Sequence, residues 1–485
     1  MAYLMIFLPL LVAGIAAALP SNRLRPWLLP VAAISHFALT LVVLARPALA
    51  FTSEWLILDP PAKLVLLVVS ALFLASSFYA VGYLGHRQER SNRVFVACLA
   101  GFLGIMSLVA WSHHLGLMWV AIEGTTLVTA PLIYFNNNKR SIEATWKYLL
   151  VGSVGIALAL LGTFFLAYSS LQSGLGATLS FEELLRTAPA LSKPWLRASF
   201  ILLLVGYGTK MGLAPMHTWK PDAYGEAPGV VGAIFAGGVT SCAFLAFLRV
   251  WQVCNASGEA AFVSRLLLFM GLFSMAVAGL FMIGQRDFKR MLAYSSVEHM
   301  GILVLGLGLG GPALFGTMLH IATNGMTKGV LFLSAGNIHR AYSSKSTDEV
   351  RGAMRRLPLS SALFLAGFLA ITGSPPFGPF VSEFSILNGA FEAGRYVAAG
   401  LFLFCLLLVF IGMGRTVLKV VQGRAPAEAV AATAGVPQPA PYHDHLLTTL
   451  PILALFAIVL LLGLYIPQPL GDLVREAVRF LENPA

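Results

Sequence analysis

Six ionisable side chains stand in stretches that otherwise carry almost no charge. Glu123 lies within Leu117-Met-Trp-Val-Ala-Ile-Glu-Gly-Thr-Thr-Leu-Val-Thr-Ala-Pro131 and Lys210 within Ile201-Leu-Leu-Leu-Val-Gly-Tyr-Gly-Thr-Lys-Met-Gly-Leu213. Lys328 falls in Asn324-Gly-Met-Thr-Lys-Gly-Val-Leu-Phe332, His320 precedes it, His299 follows Glu298 in Tyr294-Ser-Ser-Val-Glu-His-Met-Gly301, and Glu383 stands in Phe380-Val-Ser-Glu-Phe384. An ionised group at the centre of an apolar layer costs at least about 2.5 to 3.5 kcal/mol, so each needs a reason. A buried carboxylate and a buried ammonium offset one another, and the expected pair is Glu123 with Lys210. The spacing from His320 to Lys328 puts both on one helix face. Imidazoles pass protons near neutral pH, and a desolvated lysine releases one readily. The chemistry these parts compose is proton relay. Static roles stay open beside it: an ion pair joining two helices, a packing histidine at His320, a helix-capping His299, and Glu298 paired with Arg290.

A second polar concentration, Pro215-Met-His-Thr-Trp-Lys-Pro-Asp-Ala-Tyr-Gly-Glu-Ala-Pro228, follows Lys210 directly. Its His217, Asp222 and Glu226 could line an inner vestibule where protons are taken up. They could equally hold an ordered loop.

The elements that must position these groups are membrane spans. Of 485 residues, 58% are hydrophobic and 11% charged, less than half the charged share of about 25% usual in soluble domains. Apolar runs long enough to cross a bilayer recur from residue 3 to residue 466 and give an all-α polytopic membrane protein of about fourteen spans. The net charge of +11 would suggest nucleic acid in a soluble protein; here it follows loop bias, and no nucleic-acid partner is expected. Lys and Arg concentrate in loops after odd-numbered spans, Lys220 among them, which places both termini on the outer face.

Proline interrupts two spans, at Pro215 and in Gly373-Ser-Pro-Pro-Phe-Gly-Pro379. Irregular backbone at membrane depth survives only where protein or a wet cavity shields it, and paired breaks point to a transport site. The spacing suggests two inverted repeats of five spans, 92–253 and 262–420, after an N-terminal three-helix segment 1–91. An Ala- and Pro-rich cytoplasmic linker, 421–445, and a last helix and tail, 446–485, complete the chain; a short amphipathic helix is expected near Phe181 to Arg186. The four cysteines lack metal-ligand spacing, and no phosphate-binding glycine motif occurs, so no metal, cofactor or ATP site is expected.

Three motifs, Lys210 to Pro228, Arg286-Asp-Phe-Lys-Arg-Met-Leu-Ala-Tyr-Ser-Ser-Val-Glu-His-Met-Gly301 and Gly373 to Phe384, resemble in order the antiporter-like proton-translocating subunits shared by complex I, Mrp antiporters and membrane-bound hydrogenases. Ser295 to Gly301 and Thr327 to Ile338 are most similar to the component F type of hydrogenase-4 complexes. The resemblance implies two inverted half-channels, proton movement coupled to redox chemistry in partner subunits, Glu123 and Lys210 as a functional pair, Lys328 as central relay and Glu383 as the outer terminal group. In two places the chain departs from the pattern. Ser241 stands where many relatives carry a lysine, and Asn324 where many carry a histidine. No long lateral helix is expected after the last span, and that expectation goes against the distal position in such a complex.

The function expected is a proton-translocating subunit of a redox-driven complex in a prokaryotic cytoplasmic membrane. It carries no redox centre itself, contacts lipid, and is flanked by other membrane subunits and by iron–sulfur, hydrogenase-like or dehydrogenase peripheral subunits. Cation/proton exchange of the Mrp kind, membrane support of inorganic-carbon uptake, and a scaffold that no longer conducts are the alternatives.

Overall fold

A chain this apolar must satisfy its backbone hydrogen bonds within each segment, which in a membrane leaves helices as the available form. The computed structural model describes residues 1–423 and 442–482 and is helical apart from its connections and a hairpin pairing Phe51–Ser53 with Leu56–Ile57. The helices run α1 (Ala2–Ala18), α2 (Leu28–Ala45), α3 (Pro60–Gly85), α4 (Arg93–Trp111), α5 (Leu115–Ile133), α6 (Lys139–Leu171), α7 (Phe181–Thr187), α8 (Lys193–Met211) and α9 (Trp219–Glu226). They continue with α10 (Gly229–Ile234), a π turn over Phe235–Val239, α11 (Thr240–Ala256), α12 (Ala260–Met282), α13 (Phe288–Leu309), α14 (Ala313–Tyr342), one-turn α15 (Ala353–Arg356), α16 (Pro358–Ile371), α17 (Gly378–Glu392) and α18 (Tyr396–Gln422). Helices Leu446–Leu464 and Gln468–Glu482 follow.

Caps fix several starts. Asp59 accepts a hydrogen bond from the Ala62 amide (2.8 Å) ahead of two prolines at the head of α3, and Asp287 accepts from the amides of Lys289 (2.9 Å) and Arg290 (3.0 Å) at the head of α13. Small residues let the backbones close. A Cβ on Gly206 of α8 would meet the Ala159 amide nitrogen of α6 at 2.6 Å, and a Cβ on either Gly271 of α12 or Gly301 of α13 would meet the other's carbonyl oxygen at 2.8 Å.

Among the described residues, ten helical stretches are long and apolar enough to cross a membrane, α10 through α11 counting as one. The other expected spans fall on α1, which has 17 residues, on α8 with Lys193, Arg197 and Lys210, on α14 with its His320 and Lys328, and on the divided α16–α17 pair. Length and apolarity alone therefore support ten. Both expected breaks are present: α8 ends at Gly212 (φ +80°) and resumes as α9, while α16 gives way to Gly373 (φ +67°) before α17. The short helix expected near Phe181 is α7.

Where only a tail was expected, Gln468–Glu482 is an amphipathic helix. It buries Leu473, Val474, Ala477 and Leu481, and the Phe480 carbonyl accepts from Gln252 (2.6 Å). Most of the linker expected at 421–445 lies outside the described residues.

Candidate proton-transfer site

Lys210 is the penultimate residue of α8, and its ammonium reaches the faces of α5 and α6. Its Nζ donates to Thr126 Oγ1 (2.6 Å) and to Tyr148 OH (3.0 Å), and lies 4.9 Å from the centre of the Tyr148 ring. Thr126 Oγ1 in turn donates to Glu123 Oε2 (3.0 Å). The direct Glu123–Lys210 ion pair expected from the sequence is thus corrected. Thr126, three residues on from Glu123 along one helix face, inserts its hydroxyl between them, and a hydroxyl can accept from the ammonium while donating to the carboxylate. Tyr148 OH is held from its other side by Thr129 Oγ1 (2.7 Å).

A second cluster is built by α13, α14 and α17. Lys328 Nζ donates to Ser295 Oγ (2.6 Å), one turn from His299 on α13. His299 Nδ1 and His320 Nε2 share a hydrogen bond of 2.9 Å with the rings stacked 5.1 Å apart, and His320 Nδ1 bonds Ser382 Oγ at 2.9 Å. Ser382 also meets Thr323 Oγ1 at 3.0 Å and donates to the Pro379 carbonyl at 3.0 Å. With its one hydrogen given to Pro379, Ser382 Oγ accepts from His320 Nδ1–H, which leaves His320 Nε2 to accept from His299 Nδ1–H; reversing this line takes a turn of the Ser382 hydroxyl and a change of tautomer in both rings. Glu298 Oε2 and Glu383 Oε1 lie 3.7 and 3.9 Å from His299 nitrogens, beyond direct hydrogen bonds but within reach of a single water bridge. Lys328, His299, His320 and Glu298 are fully buried.

These placements revise two static readings: His299 sits inside α13 and caps nothing, and Glu298 does not meet Arg290, which pairs with Asp222 instead (2.8 Å). His320 is engaged on both ring nitrogens, which a satisfied packing histidine and a relay share. His299, His320 and Glu383 also bring one ligand atom each within 4.8 Å of the others, a spacing open to a cation. The two imidazole atoms already bond each other, and Lys328 brings a like charge to the adjoining turn, so the set is suited to relaying protons.

The polar segment after the first break divides. Asp222 pairs with Lys147 (2.9 Å) and Arg290, and Glu226 with Lys345 (2.5 Å), which fastens α9 to α6, α13 and the loop before α15. His217 is buried beside Phe281 and Tyr294, with Nδ1 unpartnered among the described residues. Of the two departures, Ser241 Oγ donates to the Gly237 carbonyl in the π turn (2.7 Å), while buried Asn324 Oδ1 has no partner among the described residues.

Two buried features escaped the sequence reading. Arg249 on α11 donates to Asp59 Oδ2 through Nε (3.1 Å) and Nη2 (2.8 Å), with His113 Nε2 3.9 Å from the same oxygen. Asp59 before Pro-Pro reads as a cap, so nothing in the sequence announces its partner 190 residues on. Lys220, a loop lysine by composition, is fully buried and donates to the Met211 carbonyl at 2.5 Å.

The fold and these clusters define a polytopic membrane protein with ionisable groups buried along its interior. The family model for the NADH:quinone oxidoreductase/Mrp antiporter transmembrane region matches residues 112–409. A hydrogenase-4 component F homolog of Methylacidiphilum infernorum is 38% identical over 344 residues, 70% of this chain and 71% of that protein. NADH-quinone oxidoreductase subunit N of Desulforudis audaxviator is 29% identical over 454 residues, covering 90% and 88% of the two chains. In fold, the chain is similar to one from the Mrp complex of Dietzia sp., with a TM-score of 0.85 at 20% identity over 100% of this chain and 97% of that one. The chain belongs to the NADH:quinone oxidoreductase/Mrp antiporter membrane family, as an antiporter-like subunit of the complex I and membrane-bound hydrogenase kind. Such a polytopic subunit is consistent with a prokaryotic inner membrane.

Proposed function

We propose that this subunit carries protons across the cytoplasmic membrane within a redox-driven, hydrogenase-related complex, with both termini on the outer face and two five-helix halves at 92–253 and 262–420. The observation that carries this reading is the row of groups able to give and accept protons: half-buried Glu123 with buried Thr126 and Lys210 in the first half, and buried Lys328, His299, His320 and Glu383 in the second. Lys210 and Lys328 donate only to hydroxyl oxygens among the described residues, so no counter-charge locks either proton in place. A conformational change arriving from a neighbouring subunit turns Thr126 away from Lys210. The ammonium then loses an acceptor and its link to Glu123, and its proton moves on toward Lys328. In the second half the histidine pair passes it toward Glu383 and the outer side. His217, near the first break, belongs to the uptake side.

The test is to isolate the complex in mild detergent, identify its chains by mass spectrometry, and measure proton uptake per electron after reconstitution in vesicles. Iron–sulfur and hydrogenase-like chains with redox-coupled pumping, abolished by Lys210→Met at normal assembly, are expected. Recovery with small antiporter subunits alone, or pumping untouched by Lys210→Met, would overturn the reading.

A further inference from the structure

Lys220 is the second residue of α9, immediately after the first break, and is fully buried. Its Nζ donates to the Met211 carbonyl (2.5 Å), the residue next to Lys210, and on its other side to the Ser296 carbonyl (3.4 Å), next to the Ser295 whose hydroxyl holds Lys328. Lys220 therefore stands between the two clusters, touching the residue next to Lys210 on one side and the residue next to Lys328's hydroxyl partner on the other. No carboxylate lies within 4.0 Å of it among the described residues. The Tyr224 ring centre is 5.6 Å from Nζ, and Tyr224 OH and Ser296 Oγ are buried hydroxyls without hydrogen-bond partners among the described residues. Room for the side chain is made by Gly212, where a Cβ would meet Lys220 Cδ at 2.5 Å.

A lysine placed here only to cap α8 would be an expensive choice. The carbonyls freed at a helix end can be met by backbone amides or by water, and Gly212 and Leu213 amides already bond the Gly208 carbonyl (both 2.8 Å). A buried ammonium among neutral acceptors is warranted where its proton is put to use. We infer that Lys220 is the relay between the two half-channels, taking the proton from the Lys210 side and delivering it to the Lys328 side by way of the Ser296 and Tyr224 hydroxyls. The step is a chain of proton hops: an N–H bond breaks at Lys220 as an O–H bond forms at a hydroxyl, that hydroxyl's own O–H bond breaks as an N–H bond forms on the Lys328 side, and no electrons are exchanged. This inference rests on the pumping function proposed above and assigns the link that Ser241 and Asn324 leave without a titratable side chain.

Lys220→Gln tests it, because the glutamine amide can still donate to the Met211 carbonyl but carries no transferable charge. In the reconstituted complex, assembly and electron transfer should match wild type while protons moved per electron fall by roughly a hundredfold. Wild-type pumping by Lys220→Gln would overturn the relay and leave a cap. Should that variant not assemble, Lys220→Arg keeps both charge and donors yet holds its proton permanently. An assembled, non-pumping Lys220→Arg supports the relay; a pumping one, or failure of both variants to assemble, overturns it. A wild-type complex that moves no protons removes the proposed function itself, whereas a pumping wild type with a pumping Lys220→Gln removes only this inference.

Discussion

The two helix breaks use one backbone device for opposite charges. At each, a glycine with positive φ leaves out a Cβ that would collide with an ionisable side chain from the helix beyond: Gly212 with Lys220, Gly373 with the Glu383 carboxylate. The surroundings then diverge. Lys220 is gripped by backbone carbonyls, whose dipoles are fixed, whereas Glu383 faces His299, which bonds His320, groups whose protons can shift. A break therefore supplies a shielded place for a charge, and the neighbouring helices decide whether its direct partners are fixed dipoles, from which a proton must pass to hydroxyls further off, or groups that titrate themselves. The Lys210 cluster is intermediate, a lysine bonded to hydroxyls that can turn but do not titrate near neutral pH.

The largest effect should come from Lys328, the cation beside the exchanging groups. Lys328→Met replaces a fully buried ammonium by an apolar chain of similar length, a change that often leaves folding unharmed. Pumping in vesicles should fall to the leak background with assembly intact. If the second cluster were merely structural, assembly would suffer and coupling per assembled complex would not.

Next comes Thr126, which tests whether the first cluster works through its hydroxyl. Thr126→Val keeps the shape but leaves the Lys210 ammonium short of an acceptor, a loss of about 1 to 3 kcal/mol, or roughly 5- to 150-fold in transfer rate. Thr126→Ser restores the hydroxyl and should restore most of the rate. Equal rates in Val and Ser variants would mean that Glu123 and Lys210 meet directly during turnover.

Gly212→Ala and Gly373→Ala probe the shared device itself. Forcing an L side chain into left-handed backbone costs about 1 to 2 kcal/mol, read as a lower melting temperature in detergent. Gly212→Ala should be the worse, because its Cβ meets Cδ, Cε and Nζ of a pinned lysine, while at Gly373 it meets the tip of one carboxylate. The reverse order would show that the second break is the tighter one.

Much of this arrangement is legible in sequence because the membrane makes charge conspicuous. Glu123, Lys210, His299, His320, Lys328 and Glu383 stand out against apolar flanks, and both breaks are written in proline and glycine. The spacing of His320 and Lys328 also places them correctly on the α14 face toward α13. What was missed depends on distance along the chain or on local composition. Thr126 is an ordinary helix hydroxyl until a lysine 84 residues away arrives, and Asp59 reads as a cap until Arg249 does. Lys220 sits among polar residues, so composition assigns it to a loop. Only the return of α9 into the helical bundle buries it.

The smallest predicted effect separates the ends of the exchanging line from its middle. Ser382 bonds His320 Nδ1 and so biases which His320 nitrogen carries the proton, yet Thr323 Oγ1 lies 3.0 Å from Ser382 Oγ as a second hydroxyl in the same corner. Ser382→Ala should then cost only the net worth of one hydrogen bond, about 0.5 to 1.5 kcal/mol, and slow pumping about two- to tenfold. His320→Leu removes the middle of the line and should stop pumping altogether. Were Ser382→Ala as damaging as His320→Leu, the hydroxyl would be a member of the relay rather than its anchor. The second cluster would then depend on a hydroxyl as the first does on Thr126, and the contrast between them would narrow to their charged groups.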